Sequence, residues 1–188
     1  MLVPQSRLEE ANALAKKAAE SYKQGDPTRA DTDLGPVVSH IQWERIQTLI
    51  QKGIDEGAAV LTGGTGKPEG LSTGYYVKPT IFTNVNNAST IGQEEIFGPV
   101  LVIIPYKDDA HAIELANASR YGLSGYISGE AEHCERVARL IRTGTMNVNG
   151  AKPHPSLPFG GYKQSGNGRE KGPHGFEEYI EIKTISRP

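Results

Sequence analysis

A single cysteine, Cys134, stands in 188 residues. No internal disulfide can form, so the fold has to rest on its core, and a reducing cytoplasmic setting is expected. Long apolar runs are also missing: none reaches the roughly 20 residues that a bilayer-spanning helix needs. The first residues lack the basic, apolar and small-residue succession of a signal peptide. Charge of one sign is not in excess, the formal net charge being -2. No basic stripe with interleaved aromatics occurs, so neither nucleic acid nor a membrane surface is an expected partner. With 37% hydrophobic and 22% charged residues, the composition fits a folded domain and not a disordered chain.

Several kinds of chemistry lack their residues. Gly64-Thr65-Gly66 runs on into Lys67-Pro68-Glu69, without the third glycine of a dinucleotide fingerprint. Gly160-Gly161-Tyr162-Lys163 lacks P-loop spacing, and no G-x-S-x-G elbow occurs. His40, His111, His133, His154 and His174 are scattered, with no metal-ligand spacing, so no metal site is expected. Cys134 beside His133 suggests a thiol and its base, but neighbours on a helix point to different sides. Cys134, Val137, Ala138 and Ile141 fall at i, i+3, i+4 and i+7 on one apolar face, which makes Cys134 a buried, inert core residue and not the catalyst.

What is present is an alternation of helices and short strands. Met1 to Val3 reads as a strand stub. A helix from about Ser6 follows, with Ser6 and Glu9 at capping-box spacing and Leu8, Ala11, Ala15, Ala18 and Tyr22 as its buried face. A second helix runs from Ser39 to Glu56, its apolar side formed by Trp43, Ile46, Ile50 and Ile54. Strands are expected at Ala58–Leu61, Tyr75–Val85, Val100–Ile104, Ser124–Ser128 and Thr145–Val148. Pro79 makes the second of these an edge or merely extended segment, and the third is a single buried strand. Helices are expected over Asp108–Arg120 and Glu130–Arg142. The rhythm predicts an α/β fold with a mainly parallel sheet flanked by helices. Gly150 to Gly175 reads as a long loop. Tyr179 to Ser186 alternates as a half-buried C-terminal edge strand, which needs a partner to pair with.

Two motifs carry the functional information. One is Glu94-Glu95-Ile96-Phe97-Gly98-Pro99, and the other is Pro158-Phe159-Gly160-Gly161-Tyr162-Lys163-Gln164-Ser165-Gly166. In their order and spacing they resemble the C-terminal half of the aldehyde dehydrogenase superfamily, and the likeness runs from Met1 to Arg187. It implies a partial catalytic domain over residues 1–178 and an oligomerisation tail over 179–188, so a homo-oligomer formed through the C-terminal strand is expected. The family's cysteine nucleophile would precede a segment like Met1-Leu2-Val3-Pro4, so the chain is expected to be a fragment that is inactive alone.

By the same resemblance Glu95 binds the nicotinamide ribose of NAD or NADP, and Phe97 restrains the nicotinamide ring. From the residues alone, Glu95 reads as a solvated loop acid and Phe97 as a core residue. Gln42 matches a cofactor-contacting glutamine, and Arg45 stands where relatives carry a basic group beside the ribose. Ser39 and Gln42 also have capping-box spacing, and Arg45 also reads as a surface charge. Trp43 reads as packing. Phe159 matches a wall of the aldehyde tunnel, with Asn149–Leu157 as the variable loop before it and Gly168-Arg169-Glu170 as a brace.

Two functions from different classes are compatible with these residues. In the first, the chain is part of an NAD(P)-dependent aldehyde dehydrogenase that oxidises an aldehyde to a carboxylic acid through a thiohemiacetal and a thioester. No cofactor is then expected on this chain alone. In the second, the chain is a non-catalytic interaction or regulatory piece that docks on full-length relatives.

Overall fold

The computed structural model describes residues 1–188, which divide into two compact units, Met1–Asp108 and Asp109–Pro188.

In the first unit, β1 (Leu2–Pro4) leads through a short 3-10 turn at Gln5–Arg7 into α1 (Leu8–Ser21). Ser6 lies inside that turn, and no side chain caps either the turn or α1, so the expected capping box does not form. The buried stripe of α1 is also shifted from its expected line. Asn12 and Ala19 are buried, with Leu8, Ala11 and Ala15 half-buried beside them, while Ala18 and Tyr22 face solvent. The inner side of α1 covers Val3, Ile81 and Ile103, together with Leu61 and Leu101. Asn12 meets the Thr83 hydroxyl at 2.6 Å within this core, so its polar amide is not buried without a partner.

Helix α2 (His40–Asp55) follows, with Ser39 as its N-cap, and then β2 (Ala59–Thr62), β3 (Thr80–Thr83), α3 (Thr90–Gln93), β4 (Val100–Val102) and β5 (Ile104–Tyr106). Ile46 and Ile50 of α2 are fully buried, whereas Ile54 is partly exposed. Strand β3 is the middle strand of a three-stranded sheet, antiparallel to β2 and parallel to β4, and all four of its residues are buried. The edge-strand expectation therefore fails. Pro79 lies just before β3, so its missing N–H removes no bond from the ladder.

The apolar run Val100–Ile104 is not one strand. β4 pairs with β3, and β5 pairs in parallel with β1. Ile103 joins the two sheets: its N–H donates to Phe82 O at 2.8 Å and its carbonyl accepts from Val85 N at 3.1 Å.

The second unit contains α4 (Asp109–Asn117), β6 (Ser124–Ile127), α5 (Ala131–Ala138), β7 (Thr145–Val148) and α6 (Gly172–Glu177). β6 and β7 pair in parallel over their whole length. Glu130 caps α5, its carboxylate accepting from the N–H groups of Glu132 and His133, and these bonds hold its pKa below the usual carboxylate range. Cys134, 1% exposed, points inward from α5 as its spacing predicts. The expected long loop is partly ordered, with a 3-10 turn at Lys163–Ser165 and α6 near its end. Residues 179–188 form no strand, and Tyr179, Ile180, Ile182 and Ile185 are exposed. The alternation in that tail is real, but no strand of the chain pairs with it, and unpaired backbone does not make a ladder.

Three of the four strand pairings are parallel. The fold class is the α/β arrangement expected from the sequence, distributed over three small sheets. No helix is long and apolar enough to cross a membrane.

Candidate functional site

The candidate cofactor site is built where α2 meets the turn between α3 and β4. The Ser39 hydroxyl accepts the Gln42 N–H at 3.2 Å and fixes the first turn of α2. From that turn, Gln42 Nε2 donates to the carbonyl of Phe97 at 3.0 Å and lies 3.4 Å from that of Ile96. One turn on, Arg45 Nη1 donates to Ile96 O at 2.9 Å. Beneath them, Gly98 lies against Ile46. A Cβ on Gly98 would come within 2.6 Å of Ile46 Cδ1, so glycine is required for the approach.

The other end of α2 holds the approach to the turn. Glu56 accepts both the Thr90 N–H at 2.8 Å and the Thr90 hydroxyl at 2.6 Å. These bonds from Thr90, the hydroxyl first, keep the Glu56 carboxyl below its ordinary range, with the Lys52 charge adding a smaller contribution. Gly53 in the same helix leaves room for Ile91 and Phe82. Thus one helix fixes the turn from both sides.

Glu95 and Phe97 stand on that fixed turn. Glu95 and Arg45 are exposed, Gln42 is half-buried, and Ile96 between Glu95 and Phe97 is buried. Phe97 is 70% exposed and has a φ of 60°. A large aromatic side chain in the left-handed region costs on the order of 1–3 kcal/mol and persists where its surroundings enforce it. The bond from Gln42 and the Gly98–Ile46 contact enforce it here. The result is an exposed carboxylate and an exposed aromatic ring two residues apart, held in register by buried neighbours. Such a pair can accept hydrogen bonds from a vicinal diol and lie against a flat ring.

Gln42, Arg45, Glu95 and Phe97, named from sequence as one cofactor set, are brought together. Gln42 and Arg45 spend hydrogen-bond donors on the backbone of the turn. Trp43 is a packing residue, its indole N–H donating to Tyr76 O at 2.8 Å.

In the second unit, Phe159 lies at the end of a closed loop. Its N–H and carbonyl exchange hydrogen bonds with Glu170 at 2.8 and 2.7 Å. The Phe159 ring is partly exposed and has the Lys171 ammonium 5.7 Å from its centroid. Arg169 donates to the carbonyls of Gly161 and Gly168 at 3.1 and 2.6 Å and lies over the Tyr162 ring. Gly168-Arg169-Glu170 is therefore a brace, as its sequence suggested. A cavity of about 320 Å³ opens here, lined among others by Leu123, Phe159, Arg169 and Tyr179.

Two contributors were passed over in the sequence. Glu56 has no local signal, because its partner Thr90 is 34 residues away. Lys163 sits inside a quoted motif, yet nothing in the motif shows that its ammonium reaches back to the end of α4.

The aldehyde dehydrogenase family model matches residues 1–185, and the chain belongs to that family. It is 51% identical to 3-succinoylsemialdehyde-pyridine dehydrogenase from a Pseudomonas species over 98% of its length, which is 39% of that relative. A putative aldehyde dehydrogenase of Staphylococcus haemolyticus is 49% identical over 99% of the chain and 39% of the relative. Among solved structures, a mutant aldehyde dehydrogenase C from Pseudomonas syringae, complexed with NAD+ and octanal, matches with a TM-score of 0.97. It is 45% identical over 98% of this chain and 38% of that one. The Mycobacterium tuberculosis aldehyde dehydrogenase complexed with NAD+ gives a TM-score of 0.95 at 43% identity, over 100% of this chain and 39% of that one. The chain thus spans about 39% of the length of the curated relatives it matches.

Proposed function

We propose that this chain furnishes the C-terminal part of the catalytic domain of an NAD(P)-dependent aldehyde dehydrogenase, which converts an aldehyde to a carboxylic acid. The observation that carries this reading is the Glu95–Phe97 turn, strained at Phe97 and held by Gln42 and Arg45. A bound nicotinamide dinucleotide would supply the hydride acceptor. Glu95 would hold the nicotinamide ribose through its carboxylate, and Phe97 would limit movement of the nicotinamide ring. Gln42 and Arg45 fix the backbone that presents both. Similarity to structures complexed with NAD+ supports NAD in the complete enzyme.

Phe159 would form one wall of the aldehyde site, braced by Arg169 and Glu170. The octanal held by the Pseudomonas syringae relative supports an aldehyde as the substrate class. The exposed Tyr179, Ile180, Ile182 and Ile185 support self-association through the tail. Thiolate chemistry falls to a cysteine outside this chain, because Cys134 is buried on the apolar side of α5.

The chain alone is therefore expected to reduce neither NAD nor NADP with any aldehyde. Joined behind the N-terminal part of a full-length family member, it should restore aldehyde-dependent reduction of NAD. A folded chimera that binds NAD yet oxidises no aldehyde would contradict the reading, as would turnover by the isolated chain carrying Cys134→Ala.

A further inference from the structure

The loop that carries Phe159 is anchored part-way along by the Lys163 side chain. Lys163 Nζ donates to the carbonyls of Asn117 and Ser119 at 2.9 and 2.7 Å, just where α4 ends. Carbonyls at a helix C-terminus have no intrahelical partner, and a cation is well placed to satisfy them. The backbone of Lys163 has a φ of 54°, so this position is strained for any residue but glycine. Backbone bonds run alongside it. Tyr162 N donates to Gly122 O at 2.8 Å, Gln164 N donates to Arg120 O at 3.0 Å, and Gly122 N donates to Ser165 Oγ at 2.9 Å.

Asn117 is itself fixed. Its amide donates to Leu140 O at 2.8 Å and accepts from Arg142 N at 2.7 Å, tying the end of α4 to the turn after α5. Partial burial, and then the nearby Arg142 charge, lower the Lys163 pKa, as expected of an ammonium drawn against backbone. The chain of contacts runs from the end of α5 through Asn117 and Lys163 into the loop. The Phe159–Glu170 bridge closes that loop at its base.

We infer that Lys163 is a positioning residue for aldehyde binding: its ammonium, bonded to Asn117 and Ser119, holds the loop that sets the place of Phe159. This rests on the reading of Phe159 as a wall of the aldehyde site. A wall displaced by about 1 Å loses part of every van der Waals contact it makes, and a long apolar substrate has more such contacts to lose than a short one. The Lys163 ammonium is engaged by two backbone carbonyls, so its role here is to hold the loop and not to act in the chemical step or in dinucleotide binding.

The test uses a full-length dehydrogenase carrying this chain, with Lys163→Met, Lys163→Gly and Phe159→Ala compared. Lys163→Met keeps a side chain at the strained position and removes only the cation. Lys163→Gly removes the cation and relieves the strain, so it decides the matter should the methionine variant fail to fold. KM is measured for octanal, propanal and NAD, and amide exchange is followed over residues 159–170. Both Lys163 variants are expected to raise KM for octanal on the order of tenfold, equivalent to about 1.4 kcal/mol. KM for NAD should stay unchanged, KM for propanal should move less, and exchange should quicken at Tyr162 and Gln164. If Phe159→Ala raises KM for octanal while neither Lys163 variant does, the positioning role is overturned and the wall reading stands. If Phe159→Ala leaves KM for octanal unchanged, the wall reading itself fails and the proposal falls with it.

Discussion

The side-chain amide of Gln42 donates to the carbonyl of Phe97 at 3.0 Å, across 55 residues of sequence. A helix side chain thereby holds an exposed aromatic residue in a backbone conformation that it would not adopt unaided. Loss of that bond should release Phe97. In a full-length enzyme carrying this chain, Gln42→Ala is expected to cost about 0.5–1.5 kcal/mol of stability, the net worth of one solvent-exposed hydrogen bond. It should also weaken NAD binding while leaving KM for the aldehyde unchanged. Thermal unfolding and NAD titration read the two effects, and unchanged NAD affinity would separate Gln42 from the site.

Gly98 has no room for a methyl group. A Cβ there would lie 2.6 Å from Ile46 Cδ1, and Ile46 is fully buried. Gly98→Ala is expected to destabilise by about 1–3 kcal/mol through overpacking. Adding Ile46→Val removes the clashing carbon, so the double variant should be more stable than the sum of the single effects. Strict additivity in denaturant unfolding would show that the two residues are not in contact.

Glu56 makes the hold on Thr90 sensitive to acid. Its folded pKa lies below the ordinary value of about 4.3. A depressed carboxylate contributes stability that is present above the unfolded pKa and lost as pH falls through the folded pKa. Glu56→Gln should therefore lower Tm at pH 7, and the difference from wild type should vanish once the pH is brought below the folded pKa. An equal difference at both pH values would remove the charge of Glu56 from the account.

Cys134 is 1% exposed, and its thiol sits against Gly129. The thiol of the folded chain should react slowly with thiol reagents and rapidly after denaturation. Fast labelling of the native chain would contradict its burial on the inner face of α5.

Much of this was legible in local pattern. Ser39, Ile46 and Ile50 announce α2 and its buried face, and the spacing of Cys134, Val137 and Ala138 announces that of α5. Local pattern failed where a segment's state depends on distant partners. Val100–Ile104 reads as one strand because all five residues are apolar, yet Ile103 hands the chain from one sheet to another. The stretch around Pro79 reads as an edge because proline lacks an N–H, yet the ladder starts one residue later. The tail alternates like a strand and has no pairing partner in the chain. At the site, the residue types of Glu95, Phe97, Gln42 and Arg45 were legible. That Gln42 and Arg45 act on the backbone of the turn was not, since no periodicity encodes a bond across 51 to 55 residues.

The proposed role of Glu95, on the turn fixed by Gln42 and Arg45, is to hold the nicotinamide ribose. Its most direct test is the rate of hydride transfer in single turnover by a full-length enzyme carrying this chain, wild type against Glu95→Gln, at saturating NAD. Glutamine preserves size and removes the charge that accepts the ribose hydroxyls. Loss of charge-assisted hydrogen bonds worth about 1.5–3 kcal/mol should slow transfer by roughly 10- to 100-fold. Tm should change by no more than a surface substitution allows. Hydride transfer at the wild-type rate, with NAD affinity also unchanged, would contradict the assignment and return Glu95 to the status of a solvated loop acid.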